Sequence, residues 1–172
     1  MELVDIVDEN NNLTGEVEDR WVAYEKGKWR RTVSSWIMLQ KRALTKRRTP
    51  GKWSKTGGQV DKGESVGEAI FREVKEELGI EISKEQIKVV NIKKNEINRH
   101  FSYNYIFVVD YKIDEYTIQK EEVDEVKYVS IEEIEESARK KDERYNFSNW
   151  TEEDINREIN LLKEKRKEIL GE

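Results

Sequence analysis

Glu73, Glu76 and Glu77 stand at positions i, i+3 and i+4. A helix through them carries three carboxylates on one face, with neighbouring Cβ atoms roughly 5–6 Å apart. Their charges repel unless something compensates them. Such a cluster opposite an apolar stripe has two readings: a solvated helix face, or a cage of hard oxygen ligands for Mg²⁺ or Mn²⁺. Charge alone favours the first. Gly57-Gly58 and Glu64 precede the helix and shift the balance. They place a flexible backbone loop and a fourth carboxylate near its N-terminal end, where a backbone carbonyl and the carboxylates can converge.

The helix itself is legible over Ser65 to Leu78, where Val66, Ile70, Val74 and Leu78 fall four apart with Ala69 beside them. Ser65 and Glu68 have capping-box spacing, and Gly79 stands where a left-handed C-cap is wanted. Upstream, Leu3 to Asp8 followed by Asn10-Asn11-Asn12 reads as a strand running into a turn, the start of a hairpin. Val33 to Arg42, rich in β-branched and aromatic residues, reads as a central buried strand. Lys46 to Gly51 contains the only proline and forms a loop, after which Trp53 to Val60 leads through Gly57-Gly58. Ile87 to Ile92, Phe101 to Tyr111 and Val126 to Val129 read as further strands and imply a mixed sheet. Ser130 with Glu133, and Thr151 with Asp154, open two last helices by capping-box spacing; Ile155, Ile159, Leu162 and Ile169 mark the buried side of the final one. The acidic cluster Glu132, Glu133, Glu135 and Glu136 reads as a solvated face.

Composition narrows the chemistry. The chain has 172 residues, enough for one compact domain with a real core, and no cysteine. Disulfides, thiolate-ligated zinc and a thiol nucleophile are excluded. His100 is the only histidine, which makes a Ser/His/Asp triad or a His-rich metal site a poor fit. No run approaches the ~20 apolar residues of a membrane span, and the N-terminus lacks the basic start and apolar stretch of a secretion signal. A cytoplasmic protein is expected. Charged residues make up 40% of the chain with both signs interspersed, and the net charge is -5. That gives no basic footprint for a nucleic-acid duplex. An acidic protein handling phosphate needs positive charge from elsewhere, and bound divalent cations are a local source.

Gly58, five residues, Glu64, seven residues, then Arg72-Glu73-Val74-Lys75-Glu76-Glu77-Leu78-Gly79-Ile80 resembles the signature box of the Nudix hydrolases, with every specified position filled. At average residue frequencies near 7%, seven such positions coincide by chance in about one window in 10⁸. The resemblance implies an α+β fold, an α/β/α sandwich with a mixed sheet between helices, spanning residues 1–172 as a single domain. It also implies that the loop-helix-loop of the box holds Mg²⁺, or Mn²⁺, against a substrate's diphosphate. By position, Glu76 and Glu77 look like metal ligands, Glu73 a ligand or the base acting on water, and Gly57 a carbonyl ligand. Glu64 looks like a support acting through water or hydrogen bonds. Arg72 looks like the residue that pairs with a carboxylate of the box and fixes its rotamer.

Outside the box, Asp5 to Glu9 with Leu13-Thr14-Gly15, then Gly27 to Arg31 and Gln40-Lys41-Arg42, resemble the branch of the family related to isopentenyl-diphosphate isomerase. Isomerisation in that enzyme uses a cysteine and a His-rich metal site, neither present here. Trp29 and Trp53 are each core residues or stacking surfaces for a base. Lys41 and Arg42, with Lys46, Arg47 and Arg48, either grip a phosphate or lie in water. Trp36 to Gln40 runs as continuous apolar chain where family members show a hairpin, so that hairpin is shortened or residues are missing between Met38 and Leu39. A further acidic ligand from outside the box is expected among Glu96, Glu121, Glu122 and Glu125. The expected activity is hydrolysis of a diphosphate linkage in a small molecule, a nucleoside diphosphate linked to another moiety or a related organic diphosphate. The alternative is a non-catalytic sensor with the same fold. Neither membrane nor duplex is an expected partner, and oligomeric state is open, a homodimer included.

Overall fold

The computed structural model describes residues 1–172, apart from the side chain of Met38. The chain divides into two compact units, one of residues 1–37 and 56–110, the other of residues 38–55 and 111–172. The junction at Met38 and Leu39 falls on that residue and lies outside the described side chains.

In the first unit, β1 (Leu3–Val7) and β2 (Leu13–Asp19) pair antiparallel as the expected hairpin. Alternation turns Val4 and Ile6 inward against Ala23 of a short helix, α1 (Arg20–Glu25). Asp19 caps that helix by accepting from Trp21 N and Val22 N at 2.9 and 3.3 Å. Asn11 takes a left-handed conformation in the hairpin turn, at φ 68°, which asparagine tolerates better than most residues. Strand β3 (Arg30–Arg42) runs parallel to β6 (His100–Ile106), which pairs antiparallel with β5 (Asn91–Asn95). With β4 (Trp53–Gln59) beyond β3, the order is β4-β3-β6-β5, a mixed sheet as the sequence implied. β3 runs unbroken from Arg30 to Arg42.

Helix α2 (Val66–Leu78) carries both bonds of the Ser65/Glu68 capping box and ends on Gly79 at φ 67°. Its stripe of Ala69, Ile70, Val74 and Leu78 is fully buried. At about 2 kcal/mol for each large apolar side chain removed from water, that burial, more than helix propensity, holds α2 in place.

In the second unit, the far end of β3 pairs antiparallel with β7 (Val123–Lys127), from Leu39↔Lys127 to Arg42↔Val123. Helices α3 (Ile131–Arg139) and α4 (Glu152–Leu170) follow. The acidic face of α3 is exposed, and Glu132 and Glu135 pair with Arg166 and Lys163 of α4 at 3.2 and 2.9 Å. Each such exposed pair contributes less than about 1 kcal/mol. No described helix is long and apolar enough to cross a membrane.

Several features differ from those expected. The last strand, expected over residues 126–129, is β7 at Val123–Lys127. Residues 87–90 are not strand; a 3-10 turn at Lys84–Gln86 precedes them and β5 starts at Asn91. β6 stops at Ile106 rather than Tyr111. Just beyond it the Gln86 side chain takes both backbone groups of Val108, at 2.7 and 3.0 Å, so a side chain replaces a ladder. Ser130 caps α3 through Glu133 N, but Glu133's carboxylate turns to Lys127 and Tyr145 rather than closing a capping box. Ile169 is more than half exposed, since the buried side of α4 ends at Leu162.

Candidate active site

The glycine pair before α2 is dictated by close approach. A Cβ on Gly57 would lie 2.1 Å from the carbonyl oxygen of Val33, and one on Gly58 would lie 2.3 Å from Glu73 Oε1. Only glycine lets the end of β4 pass this close to β3 and to the helix carboxylate. Val60 N then donates to Arg31 O at 3.1 Å, and the chain turns through Asp61 to Glu64 before entering α2.

Arg72 organises the acidic residues around it. Its Nε and Nη2 donate to Glu64 Oε1 and Oε2, both at 2.9 Å. Its Nη1 donates to Glu73 Oε1 at 2.8 Å and to Glu76 Oε2 at 3.3 Å, and Nη2 also reaches the Gln59 carbonyl at 3.1 Å. Asp61 completes the set with an ion pair at 3.6 Å. A planar fork can serve this many acceptors at once; a single ammonium cannot. The acidic neighbours hold the guanidinium's proton more firmly than usual, the Glu64 hydrogen bonds contributing most.

The carboxylates are not equivalent. Glu73 is largely buried, and burial pushes its carboxyl above the usual carboxylate range; Arg72 opposes the rise while Glu76 and Asp61 add to it. Glu76 is half exposed. Glu77 is only 4% exposed. It lies seven residues, two turns, from Ile70, so it projects beside the apolar stripe rather than opposite it as the spacing alone suggested.

Asp61, Glu64, Glu73 and Glu76 thus face one guanidinium, and Glu77 follows Glu76 on the same helix. Among the described residues no three acidic or histidine side chains are gathered tightly enough to form a coordination sphere, and Arg72 stands among Glu64, Glu73 and Glu76. In chemistry the set still fits a hard divalent cation. All donors are oxygen, the excess charge around Arg72 is negative, and burial leaves the Glu73 carboxyl above its usual range even with Arg72 beside it. Asp61 was not singled out in the sequence; its place three residues before Glu64, in the loop, was the available signal.

The expected substrate-side residues lie in the second unit and are engaged there. Lys41 faces Asp124 and Glu125 at 3.6 and 3.9 Å, and Arg42 Nε donates to Arg48 O at 3.1 Å. Trp53 lies under the Lys127 ammonium, 4.5 Å from its ring centre. Trp29 is core: it packs on Phe101 with ring centroids 5.1 Å apart, and Lys94 and Arg99 cover it. Of the acids proposed from outside the box, Glu96 pairs with Lys94, Glu122 with Lys46 and Glu125 with Lys41, while Glu121 is exposed.

Comparison with known proteins gives the chain a family and a fold. The profile of the NUDIX domain matches residues 28–151. An uncharacterized Nudix hydrolase of Clostridium acetobutylicum is 34% identical over 155 residues, covering 80% of this chain and 73% of that protein. An uncharacterized Nudix hydrolase of Listeria monocytogenes is 31% identical over 147 residues, covering 78% of this chain and 83% of its own. Among solved structures, a Deinococcus radiodurans protein superposes with a TM-score of 0.67 at 19% identity, over 81% of this chain and 90% of that one, a likeness of fold. With the signature box filled and the matched segment running through most of its length, the chain belongs to the Nudix hydrolase family and has its α+β fold with a mixed sheet.

Proposed function

We propose that this enzyme uses Mg²⁺, with Mn²⁺ as a substitute, to hydrolyse the diphosphate linkage of a nucleoside diphosphate joined to another moiety or of a related organic diphosphate. The observation that carries this is the set of four carboxylates around one arginine, with a desolvated Glu73 held above its ordinary range. Glu73, Glu76 and Glu77 would hold the metal, with the Gly57 carbonyl and Glu64 supporting it. When bound, the metal supplies charge stabilisation for the phosphoryl and leaving oxygens and acidifies water.

The residues of the chain have distinct roles in this reading. Arg72 fixes Glu73 through Oε1, and the elevated proton affinity of that carboxyl suits it to take a proton from attacking water at Oε2. Glu64, gripped by Nε and Nη2 of Arg72, keeps the loop and α2 in one geometry. Lys41, Arg42 and Trp53 are assigned to the substrate, the cations to phosphate and the indole to a base. The chain is taken as a single Nudix domain, since the matched segment 28–151 includes residues of both compact units. Within the family the outer motifs favour the isomerase-like branch, but the chain lacks cysteine and has a single histidine, which supports hydrolysis. A cytoplasmic location accords with it.

The test is product release from a panel of nucleoside di- and triphosphates, nucleotide sugars, dinucleoside polyphosphates and prenyl diphosphates, with Mg²⁺ and with chelator. Metal-dependent turnover of one class supports the reading and names the substrate type. Silence across the panel, or turnover indifferent to chelator, refutes it.

A further inference from the structure

The hydrogen bonds of the loop between β4 and α2 do not stop at the box. Lys62 N donates to Leu3 O at 2.9 Å, Val4 forms a bridge with Asp61, and Gly63 N donates to Asp5 Oδ2 at 2.7 Å. The N-terminal hairpin therefore grips the loop from outside, and its own small core of Val4, Ile6 and Ala23 makes that grip rigid. Of the three contacts the Asp5 carboxylate is the charge-assisted one, and it holds a glycine in the left-handed region at φ +74°.

From Gly63 the chain of contacts leads into the site. Glu64 follows directly; its N donates to Asp61 O at 3.0 Å, and its Oε2 accepts from Asp61 N at 3.1 Å. The same carboxylate accepts from Nε and Nη2 of Arg72, whose Nη1 holds Glu73 and Glu76. A shift of Gly63 thus moves Glu64, and through Arg72 the rotamers of the helix carboxylates.

We infer that Asp5, held on Gly63 N, is a positioning residue that sets the metal affinity of the carboxylate site. It touches neither metal nor substrate, and the inference rests on the metal reading proposed above. Losing the anchor leaves the ligands in place but loosens their geometry, an effect of about 10-fold in metal affinity for an outer-sphere partner.

The test is direct Mn²⁺ titration, reading free Mn²⁺ by its electron paramagnetic resonance signal, together with thermal melting. Asp5→Ala is expected to raise the Mn²⁺ Kd about 10-fold. Asp5→Asn, which keeps an acceptor oxygen, is expected to stay near wild type. Val4→Ala, which empties the hairpin core but leaves the Gly63 contact, is expected to lower the melting temperature without a matching change in Kd. If Asp5→Ala does not fold, Asp5→Glu carries the test, because its longer arm displaces the loop and should raise Kd. Wild-type Kd in folded Asp5→Ala, or in Asp5→Glu where the alanine variant does not fold, overturns the inference alone. Absence of Mn²⁺ binding by the wild-type protein overturns the metal reading and this inference with it.

Discussion

Replacing Arg72 by lysine keeps the charge and removes the fork. In the native site the guanidinium serves Glu64 through two nitrogens at 2.9 Å, Glu73 at 2.8 Å, Glu76 at 3.3 Å and the Gln59 carbonyl at 3.1 Å. Lysine has one nitrogen with three donors and cannot span Glu64 and Glu73 in the same way. A hydrogen bond to a charged group is worth about 1.5–3 kcal/mol. Because the Arg72 side chain is 26% exposed, water recovers part of each loss. Arg72→Lys is therefore expected to destabilise by about 1–2 kcal/mol, and Arg72→Ala, which leaves Glu73 buried without its cation, by about 2–4 kcal/mol. Urea unfolding at neutral pH in chelator measures both, and a double-mutant cycle with Glu64→Gln should return a coupling of about 1–2 kcal/mol. Turnover should fall about 10- to 100-fold in the lysine variant. Arg72→Lys within about 0.5 kcal/mol of wild type, with no coupling to Glu64, would refute the claim that one planar fork organises the site.

Other expectations are narrower. Gly57→Ala drives a Cβ onto the Val33 carbonyl, a backbone clash, and should cost at least about 2 kcal/mol in unfolding experiments, whereas Gly58→Ala meets the end of the Glu73 side chain and should reduce turnover more than stability. Tyr105 is buried and its hydroxyl has no hydrogen-bond partner among the described residues, so Tyr105→Phe should be neutral or stabilising by up to about 1 kcal/mol; a loss of about 1 kcal/mol or more counts against it. Burial pushes the Tyr105 phenol up to about 12, so wild-type stability should fall as pH rises from the ordinary phenol value near 10 towards 12, and the phenylalanine variant should lose less over that window. For Glu73 the folded pKa is raised, which penalises the ionised native state above it; without metal, Glu73→Gln should be at least as stable as wild type at neutral pH, and its advantage should vanish as pH falls below the ordinary carboxylate range. Melting curves across pH check this, and a neutral-pH deficit in Glu73→Gln contradicts it.

Much of the site was legible because its constraints are local. Ser65, Glu68 and Gly79 announce the ends of α2, and the four-residue spacing of Val66, Ile70, Val74 and Leu78 announces its buried side. The glycine pair signals a close approach whose partners, Val33 O and Glu73, no spacing rule names. What the sequence hid is tertiary. Helix α1 is six residues long with one buried side chain, too short for a periodic signal. The end of β6 is set by Gln86, 22 residues from Val108 in the chain. The spacing places Glu77 with Glu73 and Glu76 on one carboxylate face, and the box makes it a metal ligand, but neither announces its burial: its phase on the helix puts it beside Ile70 and Val74. Asp5 and Asp61 are ordinary strand and loop acids until the hairpin folds onto the loop.

The most direct test of the central claim is turnover of the best diphosphate substrate by wild type and by Glu77→Gln, each with Mg²⁺ and with chelator, with melting curves to show that both are folded. Chelator should abolish wild-type turnover, and Glu77→Gln, still folded, should lose on the order of 10³-fold of the Mg²⁺-supported rate. A folded Glu77→Gln variant that turns over substrate at the wild-type rate, or wild-type turnover that survives chelation, would contradict it.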